Sequence, residues 1–246
     1  MESPPSFAGV LDRIGGVEGW LSDDQALRLW ARARSVADGG LIVEIGSFRG
    51  RSTIVLATAA GNDVEVVAID PHAGNDRGPQ ELDGFEDEAA EDNVAFNANL
   101  TAAGVRDRVR HVRAFSRDAL DEVLGDIDLL YVDGAHRYGP ALADVRAWGA
   151  RVPEGGTMLV HDAFSSIGVT SALARSRFWS NDWRYVGRSR SLVEYRREPV
   201  APLGNLARQL AQLPWFARNV IIKALIASKL GRATRYLGHH EPTWPY

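Results

Sequence analysis

The chain reads as an α/β protein whose mostly parallel sheet is covered by helices on both faces. Three observations predict this. Short apolar runs bounded by glycines or acids recur along the chain, as in Leu41–Ile45 and Thr157–Val160. Segments of helical periodicity fall between them. The last two runs stand close enough to pair antiparallel and close the sheet. Size and composition agree: 246 residues, 45% hydrophobic and 24% charged, suit one large globular domain with an appendage.

The elements follow in order. Ser22 opens a helix, with Gln25 completing a capping box. Leu27, Trp30 and Ala31 give that helix an apolar face, and Gly39-Gly40 ends it. Leu41 to Ile45 is a buried strand, followed by a helix over 52–60 and a strand over 64–69 that ends at Asp70. A long helix over 85–103 stops at Gly104. A third strand covers 109–112, with a helix over 118–124 behind it. The fourth strand, 127–132, leads to a helix over 140–150 that has proline near its first turn. The fifth strand is 157–160, and a helix near 170–176 precedes closing strands at 183–186 and 191–195. Crossovers between the parallel strands are right-handed.

Composition excludes several functions. With no cysteine there is no disulfide framework, thiolate zinc site, iron–sulfur cluster or cysteine nucleophile. A net charge of −4 argues against a dedicated nucleic-acid binder. The N-terminal MESPPSFA lacks the basic and apolar regions of a signal peptide, and no stretch of 18 apolar residues is present. No repeat recurs at 20 to 50 residues. A cytoplasmic protein is expected.

The net charge hides an asymmetry. Residues 201–246 hold six cations against Glu241 alone, a net +5, which leaves −9 for the first 200. Seven acids crowd into 81–92, as a solvated helix face or as a flap that meets a cation or polar substrate. In the tail, Leu206, Leu210, Leu213, Phe216, Val220 and Leu225 recur at helical spacing, interrupted by Pro214. That stretch, 203–236, reads either as a helix packed on the core or on a second subunit, or as an interfacial helix on an anionic or lipid surface. Residues 238–246 read as a strap or a frayed terminus.

Ligands of such sheets bind beyond the carboxyl ends of the strands, near the point where strand order reverses. This singles out Gly46, Asp70, Ser116, Asp133 and Asp162. The first strand runs into Glu44-Ile45-Gly46-Ser47-Phe48-Arg49-Gly50, a glycine turn that opens a helix. Glycine lets backbone amides approach a ligand, and the helix N-terminus favours electron-rich groups. A dinucleotide fingerprint needs a further glycine where Phe48 stands. Asp70 ends the second strand, where an acid accepts hydrogen bonds from ribose hydroxyls or caps a helix. Turn and acid together point to an adenosine-containing ligand.

The string Val43-Glu44-Ile45-Gly46, the acid Asp70, and Tyr131-Val132-Asp133-Gly134-Ala135-His136 resemble the class I S-adenosylmethionine-dependent methyltransferases. More narrowly they resemble metal-dependent O-methyltransferases that act on sugar hydroxyls of macrolides and glycans. The Gly155 to Asp162 run, G-G-x-x-x-x-H-D, adds to the likeness. The resemblance implies a Rossmann-like, doubly wound seven-stranded sheet of order 3-2-1-4-5-7-6 with the last strand antiparallel. It implies that Glu44, Gly46, Ser47, Gly50 and Ser52 line the methionine and ribose end of the cofactor. Asp70 would hold the ribose, and Ser116 would lie near the adenine. Residues 1–200 would form the S-adenosylmethionine-binding domain, with 201–246 a basic helical extension.

Asp133 and Asp162 end neighbouring strands, so their carboxylates converge, and two hard oxygen ligands suit Mg²⁺ or another divalent cation. Strand alternation turns His161 away from Asp162, which leaves Asp162 alone as a ligand. A third ligand is not placed; the acidic run ending at Asp92 is one source. His136, three residues after Asp133, has the chemistry to take the proton of an attacking hydroxyl, or to orient a carboxylate. The expected function is metal-dependent O-methylation of a sugar, glycoside or polysaccharide-precursor hydroxyl, with His136 and Asp133 at the reacting centre. A polyketide or catechol acceptor, an NAD-dependent oxidoreductase and a non-catalytic scaffold are the alternatives. The expected partners are a small-molecule or oligosaccharide acceptor and a second copy of the chain, with lipid contact through 203–236 and no nucleic acid.

Overall fold

Seven strands hydrogen-bond into one sheet in the order β3-β2-β1-β4-β5-β7-β6. They are β1 (Leu41–Ile45), β2 (Glu65–Ile69), β3 (Val109–Val112), β4 (Leu129–Val132), β5 (Thr157–Val160), β6 (Trp183–Ser189) and β7 (Leu192–Arg197). The computed structural model describes residues 5–73 and 86–240, the latter with side chains from residue 90. The acidic run over 81–92, the start of the long helix at Phe85 and the terminus 238–246 therefore lie partly outside the described residues.

β1 pairs in parallel with β2 and β4, β2 with β3, and β4 with β5; β7 runs antiparallel to β5 and β6. The order is the expected one. β1, β4 and β5 are buried from end to end, so their sequences read as apolar runs, interrupted only by Glu44 in β1 and Thr157 at the start of β5. From β1 the chain steps outward to β2 and β3, then returns to β4 on the other side of β1. The reversal between β1 and β4 opens a crevice beyond their carboxyl ends.

Helices cover both faces. On one, α1 (Phe7–Ile14), α2 (Asp23–Ala33), α3 (Arg51–Ala59) and α4 (Glu86–Ala102) bury Ile14, Leu29, Ile54 and Phe96 against the sheet. On the other, α5 (Tyr138–Ala147) and α6 (Ile167–Ser176) enclose Val145, Trp148 and Leu173. Each such side chain contributes about 1.5–3 kcal/mol through the apolar surface it removes from water.

Three local expectations are corrected. α1 was not anticipated, although Ser6 caps it by accepting from Gly9 N at 3.2 Å and Phe7, Val10, Leu11 and Ile14 share one face. α2 begins at the expected box, where Ser22 N donates to Gln25 Oε1 at 2.9 Å, but it buries Ala26, Leu29, Trp30 and Ala33. Leu27 and Ala31 face outward, and the helix stops at Ala33, ahead of Gly39. Residues 118–124 form hydrogen-bonded turns rather than a helix. Ala119 and Val123 anchor that segment in the core, and so short a stretch does not repay the cost of helix nucleation.

The extension folds as α7 (Pro202–Leu210), α8 (Leu213–Ala227) and a 3-10 segment, Gly231–Leu237. Pro214 sits in the first turn of α8 and marks a start rather than an interruption. Leu206, Trp215 and Phe216 join the core that α5 and α6 cover. Three fully buried amides fasten the extension. Asn205 Oδ1 accepts from Tyr185 N at 2.8 Å, Gln209 Oε1 accepts from the Tyr195 hydroxyl at 2.7 Å, and Asn219 Nδ2 donates to Phe164 O at 3.0 Å.

Candidate active site

The glycine turn after β1 is built around Asp70. Its Oδ2 accepts from Ser47 N and Phe48 N, both at 2.8 Å, and its Oδ1 accepts from His72 N at 2.8 Å. The glycines serve the chain's own packing. Gly46 has φ +84, and a Cβ there would meet Asp133 O at 2.2 Å; at Gly50, φ +86, it would meet Leu100 Cδ1 at 2.5 Å. The turn's amides at 46, 47, 48 and 50 thus bond to protein acceptors rather than pointing outward. What this end offers a ligand is side-chain chemistry, with the buried Ser47 hydroxyl lying close to the Glu44 carboxyl.

Glu44 lies beneath this turn. Its carboxylate is fully buried and accepts from the Ser52 and Thr53 hydroxyls at the start of α3. Burial pushes its pKa up to about 7, against those two hydrogen bonds. Glu44 and Ser52 therefore bond to each other under the glycine turn rather than facing the crevice. Ser116 donates to Asp144, whose carboxyl burial raises to about 6.

Beyond β4 and β5, three side chains converge. Ligating atoms of Asp133, His136 and Asp162 all lie within 4.8 Å of one another. His136 Nε2 stands 2.9 Å from Asp162 Oδ2 and 4.0 Å from Asp133 Oδ1. The close approach of Asp133 to Gly46 joins this cluster to the glycine turn. Asp162 adopts φ +56, a left-handed backbone costing about 1–3 kcal/mol. Its carbonyl accepts from Ser165 N and Ser166 N, which hold the turn.

His161 is corrected. Alternation ends with β5 at Val160, and the left-handed Asp162 swings the chain, so both side chains reach one place. His161 Nδ1 is 3.1 Å from Asp133 Oδ1 and 3.8 Å from Asp162 Oδ2. Asp92 does not join the cluster; its Oδ1 accepts from Arg49 Nε at 2.7 Å.

Electrostatics follow from this crowding. Burial alone would raise the Asp162 carboxyl, but the His136 hydrogen bond and the charges of His161, His136 and Lys223 hold it well below the usual carboxylate range. For Asp133 as well, burial is outweighed, here by His161 and His136, and its pKa is lowered. Burial lowers the pKa of His136, yet bonds to Asp133 and Asp162 carry it to about 10; with 43% of its side chain exposed, water screens part of that shift. The donor set fits a divalent cation, because Asp162 Oδ1 is buried with no hydrogen-bond partner among the described residues.

Sequence reasoning missed three participants. Tyr131 donates its hydroxyl to Asp133 Oδ2 at 2.8 Å, and the i, i+2 alternation of β4 was the signal for it. His161 was visible as a neighbour but was turned the wrong way. Lys223 of α8, close enough to Asp162 for each to shift the other's ionisation, left no signal, because only packing of the extension brings it there.

Comparison with known proteins agrees with this geometry. Residues 43–163, from β1 to just past Asp162, match the profile of a family described as a methyltransferase domain. An uncharacterized protein, R132, of Acanthamoeba polyphaga mimivirus is 28% identical over 125 residues, covering 49% of this chain and 50% of that one. The chain thus spans about half the length of that curated relative. Among solved structures, the O-methyltransferase NovP aligns with TM-score 0.58 and 19% identity, over 73% of this chain and 83% of that one. The O-methyltransferase TomG from Streptomyces achromogenes, in complex with SAM, aligns with TM-score 0.55 and 18% identity, over 78% and 87%. Residues 43–163 thus resemble a methyltransferase domain, and the chain that carries them has the Rossmann-like methyltransferase fold with added C-terminal helices.

Proposed function

We propose that the chain is an S-adenosylmethionine-dependent O-methyltransferase that uses a divalent cation and acts on a hydroxyl of a sugar, glycoside or polysaccharide precursor. The observation that carries this is the convergence of Asp133, His136 and Asp162 beside the glycine turn. Asp133 and Asp162 would hold the cation, Mg²⁺ by preference for oxygen. Such an ion, when bound, orients a hydroxyl and makes it more acidic.

The chain's residues account for the rest. Ser47 and Asp70 form the polar side of the cofactor end, with Glu44, Gly46, Gly50 and Ser52 shaping the turn that supports them. When bound, S-adenosylmethionine would supply the methyl group, its carbon–sulfur bond breaking to leave a neutral thioether as the acceptor oxygen takes the carbon. The hydroxyl proton passes to His136 Nε2. His136 must be neutral to take it, and the two carboxylates that stabilise its protonated form make it a stronger base. The NAD alternative is disfavoured by Phe48, which stands where the dinucleotide fingerprint needs glycine.

The test is transfer of a labelled methyl group from S-adenosylmethionine to sugar, catechol and polyketide acceptors, with and without chelator. Labelled sugar products that vanish with chelator and return with Mg²⁺ support the reading. Full turnover in excess chelator refutes the cation, and labelling of catechols alone refutes the sugar acceptor.

A further inference from the structure

α8 is apolar on both sides, and only one side is covered. Trp215, Phe216 and Ile222 pack toward the core, and Asn219 bonds Phe164. On the opposite side Leu213, Ala217, Ile221 and Ala224 follow at steps of four, four and three, all exposed, with Ile221 at 50%. A helix that is hydrophobic all round is ordinarily buried on every side. The helix's two cations, Arg218 and Lys223, are only half-exposed and leave this stripe apolar. The exposed cations stand at its ends: Arg208 before it, Lys229, Arg232 and Arg235 after it, beside exposed Leu230 and Tyr236.

Charge identifies the occupant. Residues 199–240 contain six cations and no acid. A second copy meeting this face about a two-fold axis would set its four exposed cations against another four. An anionic bilayer surface supplies the opposite charge and an apolar layer beneath it. Apolar side chains flanked by Lys and Arg on a convex helix are the pattern that settles at the headgroup boundary. Tyr236, exposed and amphipathic, suits the same depth. No helix among the described residues is long and apolar enough to cross a membrane, so the contact is peripheral.

We infer that the outer face of α8, with the basic segment after it, docks the protein on an anionic membrane surface. Because Asn219 ties α8 to the loop after Asp162, docking would fix the position of the active site relative to the bilayer. The inference stands apart from the identity of the methyl acceptor.

The experiment is flotation of the intact protein with vesicles of phosphatidylcholine alone, or of equal parts phosphatidylcholine and phosphatidylglycerol, at low and high salt. Binding is expected only with phosphatidylglycerol, and weaker at high salt. Arg232→Gln and Arg235→Gln should each weaken it about fivefold, the equivalent of about 1 kcal/mol per surface cation. Ile221→Asp should abolish it at either salt, with circular dichroism unchanged. If that variant does not fold, the two glutamine variants, at exposed positions, still decide. Equal binding to both vesicles, wild-type binding by the glutamine variants, or no binding at all overturns the inference. So does a dimer in solution that Ile221→Asp converts to monomer, since a protein partner would then own the face.

Discussion

Tyr131 and Asp133, two residues apart at the end of β4, are locked together: the phenol donates to Asp133 Oδ2 at 2.8 Å. This commits one carboxylate oxygen to the protein and leaves Oδ1 facing His161 and His136. Tyr131 is fully buried, and burial beside Asp133 raises its pKa well above the ordinary value, so it stays a donor. It is a positioning residue for Asp133.

Tyr131→Phe should therefore weaken divalent-ion affinity about 10–100-fold, the usual cost of losing an outer partner of a metal ligand. Affinity for S-adenosylmethionine should be unchanged. Calorimetric titration of both ligands into the variant checks this, and saturating metal should restore most of the rate.

His136→Ala should lower kcat about 10²–10⁴-fold if the imidazole is the base. Saturating metal should not repair the loss. Because the folded pKa is raised, wild-type kcat should climb with pH above neutrality, as the imidazolium loses its proton. A metal-repairable defect would make His136 a ligand or an orienting group instead. The pH–rate profile of wild type and variant, each with and without excess metal, separates these outcomes.

Asp70→Ala removes an acceptor shared by three backbone amides. Stability should fall by about 2–3 kcal/mol, since hydrogen bonds to a charged group are worth about 1.5–3 kcal/mol each and water replaces part of the loss. Cofactor affinity should fall as well, because the turn that carries Ser47 loosens. Urea unfolding and equilibrium binding measure the two effects independently.

Glu44 should make stability fall as pH rises. Its folded pKa is about 7 against an ordinary 4.5, so between these values the folded state holds a proton that the unfolded state releases. The stabilisation is complete below about 4.5 and lost on passing about 7, a change of about 3 kcal/mol. Glu44→Gln, which can still bond Ser52 and Thr53, should flatten that part of the profile. Denaturant unfolding across the window tests it.

Asn205→Ala should destabilise the fold by about 2–3 kcal/mol. Tyr185 N would lose its buried acceptor and the Trp183 carbonyl a donor, while the Arg177 carbonyl keeps Ser180 N and Gln209 Nε2; a buried group left unbonded costs about 1–3 kcal/mol. If 201–240 merely trailed from the domain, the variant would be as stable as wild type. Thermal unfolding decides.

Much of this protein was legible in its sequence because the signals are local. Apolar runs marked β1, β3 and β5 to the residue, and the capping box at Ser22 and Gln25 placed the start of α2. The glycine turn, Asp70, Asp133, His136 and Asp162 could be singled out because residues at and just after strand ends in such a sheet face one crevice, and the fold does bring Asp133, His136 and Asp162 together. The face of α2 was misjudged, because two candidate stripes lie side by side on a helix and only the sheet beneath selects Leu29 over Leu27. Periodicity likewise could not separate turns from a short helix at 118–124, where tertiary anchoring outweighs propensity. Tertiary structure alone decided the rest. A left-handed Asp162 overrode strand alternation and brought His161 to Asp133. The amides of the glycine turn went to Asp70, because a half-buried carboxylate beside backbone donors is satisfied by them first. Lys223, some sixty residues beyond Asp162 in sequence, entered the site only because Asn205, Gln209 and Asn219 found buried partners across the sheet edge. Contacts between distant segments leave no periodicity to read; they exist only once the chain has folded.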